Sequence, residues 1–210
     1  MCVRSNAGER AALLTPTNHH RLVLLLLQRN DMFVKGTRLL AEGKLLDAET
    51  ELRAFVAKYP GSPGGFANLG LALWGQKKLP EAYYCLKQAY EKGGGFDWQT
   101  RLNYGLICLD IWTTYQHSHK LRREMLKLEI YNREAIWKVA REQMLAAIAT
   151  NQANVIAYMA FCSALEERGE LDEAVKWWEH ALNTHGVIDK LAELPIGQGK
   201  ALQHIALLVC

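Results

Sequence analysis

The chain has 210 residues, 50% of them hydrophobic and 22% charged, with a formal net charge of +3. That is ordinary composition for a globular chain with a sizeable core. It excludes a strongly basic nucleic-acid binder, in which Lys and Arg gather into a stripe. The longest apolar run, residues 22–27, is far shorter than the ~20 residues a membrane-spanning helix needs, so neither a membrane span nor a signal peptide is expected.

The five cysteines, Cys2, Cys85, Cys108, Cys162 and Cys210, form no close pair and no C-x-x-C. A disulfide framework is therefore not expected, and a reducing cytoplasm is. Cys85, Cys108 and Cys162 fall on helical pattern, where a free Cys acts as a small apolar residue.

In chain order, residues 1–14 show no period and read as a flexible leader. Thr15, Pro16, Thr17 and Asn18 supply cap candidates and a proline suited to a first turn. They open a helix carrying Leu22, Val23, Leu25, Leu26 and Leu27. From residue 36 to 94 one pattern then occurs twice. Gly36 and Gly70, Leu39 and Leu73, Ala48 and Ala82, and Leu52 and Leu86 are each 34 residues apart. A fixed period of this length, with Gly early and Ala twelve residues later, is the signature of a helix–turn–helix repeat.

The first unit spans 29–62 and the second 63–96, the latter ended by Gly93, Gly94 and Gly95 where the first has Pro60. A third unit, 98–154, begins with Asn103, Tyr104, Gly105 and Leu106, but its next suitable Ala is Ala140. Ala140, Met144 and Ala147 recur 34 residues later as Ala174, Trp178 and Ala181 of a fourth unit, 155–188, in which Cys162 replaces the glycine. The third unit thus carries 23 extra residues, near 113–133. They contain no Pro or Gly and are rich in good helix formers. They predict about three added turns on each helix, a hairpin rising roughly 16 Å above its neighbours. Residues 189–210 read as short helices around Pro195 and Gly199 and, with the Leu-rich N-terminal helix, as the end caps that stacked repeats need.

The pattern resembles the tetratricopeptide repeat, carried by Met32, Gly36, Leu39, Ala48, Leu52, Phe55 and Pro60 in the first unit. The second unit matches with Phe66, Leu69, Gly70, Leu73, Ala82, Leu86 and Ala89. The resemblance implies an all-α solenoid of about four helical hairpins, one extended, and a protein that binds other proteins. It also implies that first-helix side chains line a concave groove: Phe33, Leu40, Asn68, Leu71, Trp74, Leu102, Asn103, Leu106, Leu109 and Met159, with Trp74 as anchor. Such an apolar groove suits a helix or an extended apolar segment. The inserted hairpin, with Leu121, Met125 and Leu128 as an apolar stripe and Arg122 on its basic flank, is expected to be a second contact surface.

One known use of the family is excluded. The carboxylate clamp of heat-shock co-chaperones needs Lys, Asn and Arg where this chain has Phe33, Thr37, Asn68, Gln99 and Asn103, and only Asn68 matches. Nor is there a P-loop, a dinucleotide fingerprint or a nucleophile elbow. His117 and His119 are two apart, which on a helix directs them to different faces, and no third ligand lies near in sequence. The expectation is therefore a non-enzymatic scaffold or assembly subunit without cofactor or metal, binding protein partners and able to self-associate. Two alternatives stand beside it: a chaperone for exported proteins, similar to the repeat chaperones of type III secretion, and a metal-binding protein or enzyme using His117 and His119.

Overall fold

The computed structural model describes residues 29, 31–130 and 132–184, and every regular element among them is helical. The expected N-terminal leader and cap and the C-terminal cap lie outside the described residues. Helical residues 31–41 (α1) are followed by α2 (Leu45–Lys58), α3 (Pro63–Gly75), α4 (Leu79–Glu91), a 3-10 turn (Gly94–Phe96), α5 (Trp98–Tyr115), α6 (His119–Leu126), α7 (Arg133–Thr150), α8 (Val155–Arg168) and α9 (Leu171–Asn183).

Helix starts follow local chemistry. Ser62 caps α3 through Gly65 N, with Pro63 in the first turn. Asp97 caps α5 through Gln99 N and Thr100 N. Asn132 caps α7 and Asn154 caps α8 through Ala135 N and Ala157 N. Each satisfies backbone donors that a helix start leaves without partners.

The helices pair as α1/α2, α3/α4, α5/α7 and α8/α9, and each second helix also packs on the next first helix. The fold is an all-α tetratricopeptide-type solenoid. Its spine is a repeated column on the second helices. Ala48, Ala82, Ala140 and Ala174 are fully buried, and the residues one turn on, Leu52, Leu86, Met144 and Trp178, are no more than 2% exposed. Opposite them sits a small residue on the first helix. A Cβ added to Gly36 or Gly70 would come within 2.8 Å of Leu52 or Leu86, closer than real Cβ contacts allow, so the pairs meet at a distance that only Gly permits.

The third hairpin is extended, but differently from expectation. Helices α5 and α7 have 18 residues each against 13 or 14 in α2, α3, α4, α8 and α9, about one added turn and not three. The remaining residues leave the hairpin axis and form α6, which packs back against α4 and α5. Ser118 starts this helix by accepting from Leu121 N at 3.1 Å. Leu121, Met125 and Ile130 are buried, Met125 completely. Arg122 donates to Gln116 O at 3.0 Å and to Tyr115 O, closing off carbonyls at the end of α5.

One arginine ties the two helices of the third hairpin together, and a second ties that hairpin to the fourth. Arg133 lies 3.6 Å above the Trp112 ring and donates through Nε to Trp112 O. Arg168 lies 4.6 Å from the Trp137 ring centroid while pairing with Glu134 and Glu170. Desolvation by the surrounding rings opposes the charge of an arginine held this way, and the acidic partners and π-faces offset that cost.

Candidate functional site

First helices α3, α5 and α8 lie side by side, each touching the next, and form the inner face. Between them opens a cleft of ≈ 410 Å³ lined by Asn68 and Leu71 of α3, Leu102 and Asn103 of α5, and Ile156 of α8. Four of the sequence-predicted groove residues, Asn68, Leu71, Leu102 and Asn103, therefore meet in one place. Asp97, Trp98 and Gln99 border the cleft at the start of α5, and Ile156 stands 56% exposed at its edge. Asn68 donates to Thr37 Oγ1 at 2.8 Å, and Thr37 in turn donates to Phe33 O, so the amide is held by α1.

The other predicted groove residues lie elsewhere. Phe33 packs its ring 5.4 Å from that of Phe55. Leu40, Leu106 and Met159 are half-buried against the hydrophobic core, and Leu109 is buried. Trp74 is also half-buried against the core, and its indole N–H donates to Asp110 Oδ2 at 2.7 Å. Its polar edge is thus already taken, and it lies outside this cleft.

The hairpin stripe requires a larger correction. Leu121 and Met125 belong to the chain's own core, Leu128 is half-buried against it, and Arg122 is engaged with α5 carbonyls. The stripe was amphipathic because α4 and α5 cover it.

Sequence reasoning missed Asn154. It is 6% exposed, lines the cleft, and its Nδ2 has no hydrogen-bond partner although buried. The available signal was its place before Val155 as the cap of α8. His117 and His119 are both exposed and separately engaged: His117 Nε2 lies 2.8 Å from Gln116 Nε2, and His119 Nδ1 lies 2.7 Å from an Arg122 nitrogen. Among the described residues no three His, Cys, Asp or Glu are grouped to hold a metal.

Burial holds the interior thiols and phenols in their protonated forms. Burial pushes the Cys85 thiol up to about 11 and raises Cys108 and Cys162 further, so none supplies a thiolate at neutral pH. Burial likewise lifts the Tyr83 phenol to about 12, and Tyr104 donates to its oxygen at 3.3 Å. Among the described residues no helix is long and apolar enough to cross a membrane.

These features define a class: helical-hairpin repeat proteins whose inner face is a cleft of carboxamide and apolar side chains. Comparison with known proteins agrees on the fold. No family model matches the chain. A curated relative, mouse "BBSome complex member BBS4", is 25% identical over 156 residues, 69% of this chain. The chain spans 30% of the length of that relative. Among solved structures, that of MamA is similar with a TM-score of 0.59 at 18% identity, over 92% of this chain and 100% of that one.

Proposed function

We propose that the protein is a non-enzymatic interaction scaffold whose inner-face cleft receives an extended segment of a partner protein. The observation that carries this reading is the convergence of two carboxamides, Asn68 and Asn103, with Leu71, Leu102 and the exposed Ile156 in one ≈ 410 Å³ cleft. A carboxamide both donates and accepts, so it can match a main chain of any sequence. The apolar positions between them supply the buried area that gives such a complex its affinity. The mouse relative is by name a member of a complex, which supports the same class of role.

The test is affinity purification from the native host with the wild-type chain and the triple variant Asn68→Ala, Asn103→Ala, Ile156→Asp, whose helicity is checked by circular dichroism. A partner recovered by the wild type and lost by the folded variant supports the reading. Equal recovery by both overturns it.

A further inference from the structure

A second and larger cleft, ≈ 790 Å³, lies on the outer face, where second helices α2 and α4 form two walls and α6 a third. Its apolar lining includes Val56 of α2, Phe66 of α3, Pro80 and Tyr84 of α4, and Leu128 just after α6. Tyr84 is 49% exposed, a large ring presented to solvent in a groove. Five cations and two acids, Glu81 and Glu124, surround this floor.

The cations differ in how they are used. Arg53 and Lys78 are committed to Glu49, and Arg53 also to Glu81. Lys120 and Lys127 have no acidic partner within 4.0 Å among the described residues, and both are exposed. Lys77, with a side chain 78% exposed, makes only a 3.7 Å contact to Asp110.

Lys77 carries an independent mark. It stands five residues before Ala82, as Gly43 stands before Ala48 and Gly169 before Ala174, and all three end a first helix in the left-handed region, at φ 72°, 61° and 81° for Gly43, Lys77 and Gly169. Two repeats use glycine there, which adopts that conformation freely; the second uses a lysine, which does not. Strain kept where a cheaper residue is available points to a use for the side chain, and Lys77 lines this cleft.

We infer that the outer cleft docks an acidic amphipathic helix of a partner protein. Its walls are helices whose main-chain groups are already paired within them, so an extended strand would find no ladder to join. A helix recognised by side chains alone fits such a trough. Lys120 and Lys127, without acidic partners, and Lys77, held only by its 3.7 Å contact to Asp110, select carboxylates on the helix flanks, and the apolar floor takes its greasy face. A flat anionic surface is disfavoured, because the floor lies between three helical walls.

The test uses a 16-residue helical peptide probe with a Leu stripe flanked by Glu, and its counterpart with Lys in place of Glu, titrated calorimetrically. The wild type should bind the Glu peptide at least tenfold more tightly than the Lys peptide. Lys120→Glu with Lys127→Glu should reverse that preference, while Asn68→Ala with Asn103→Ala should leave it unchanged. Lys77→Gly should raise the melting temperature yet weaken binding of the Glu peptide. No discrimination between the peptides, loss of binding in the inner-face variant, or binding of phosphatidylserine vesicles with no peptide binding would each overturn the inference.

Discussion

Met144 lies against Gly105 as Leu52 lies against Gly36 and Leu86 against Gly70: a Cβ built on each glycine would meet the partner side chain at 2.8 Å. The partners are 16 residues apart in the first two repeats and 39 in the third, so the contact survives 23 inserted residues. The repeat is thus conserved as a packing relation even where it is lost as a spacing.

The same contacts predict unequal tolerance. The atoms facing Gly70 are the Leu86 branch point and the Ala82 carbonyl oxygen, neither able to withdraw. At Gly105 the nearest atom is the end of the flexible Met144 chain. Ala in place of Gly favours a helix interior by about 1 kcal/mol, which only Gly105 can realise. Gly70→Ala should lower the denaturant midpoint and Gly105→Ala should keep or raise it; the opposite order would refute this packing assignment.

Ala48, Ala82, Ala140 and Ala174 are each fully buried at a helix crossing. Leu at any of them overpacks the crossing and should cost about 1–3 kcal/mol, read as a loss of melting temperature without loss of helical signal at low temperature.

Met125 tests what the insertion does. It is completely buried, whereas Leu126 beside it is 46% exposed. Met125→Ala should destabilise by about 2–5 kcal/mol and Leu126→Ala by well under 1 kcal/mol. Excising 115–131 should accordingly destabilise the whole stack, since it removes Leu121, Met125 and Ile130 from the core. A deletion variant that melts like the full chain would show that α6 is dispensable.

What was legible in the sequence follows from which interactions are local. Small residues at close crossings cannot be replaced by larger ones, so Gly36, Gly70, Ala48, Ala82, Ala140 and Ala174 wrote the repeat into the chain. The path of the insertion was harder to read. Its helix-forming composition suits one long hairpin and a broken one equally, and the break rests on Ser118 accepting from Leu121 N and on Glu129 at φ 62°. The stripe of Leu121, Met125 and Leu128 announced that something covers it, but an amphipathic pattern does not say whether the cover is a partner or α4. For the inner face, periodicity identified which side chains share a face; it could not tell that Trp74 bonds Asp110 or that Asn154 borders the cleft, because both depend on neighbours far along the chain.

Glu49 gives a prediction about pH. It sits 9% exposed on α2, and burial alone would raise its pKa. Lys78, Arg53 and Gln76 each donate to it at 2.8 Å and more than offset that, lowering it from 4.5 to about 2. A carboxyl whose folded pKa is depressed binds a proton more readily in the unfolded chain. Its contribution is therefore complete above about pH 4.5 and is lost as pH falls towards about 2. Glu49→Gln should destabilise by about 1–2 kcal/mol at pH 7 and flatten the decline in melting temperature between those pH values. The shape of the curve is the decisive readout. If the variant and the wild type lose stability in parallel through that window, Glu49 titrates as an ordinary surface acid and the bridge between the first two repeats is not an ionic one.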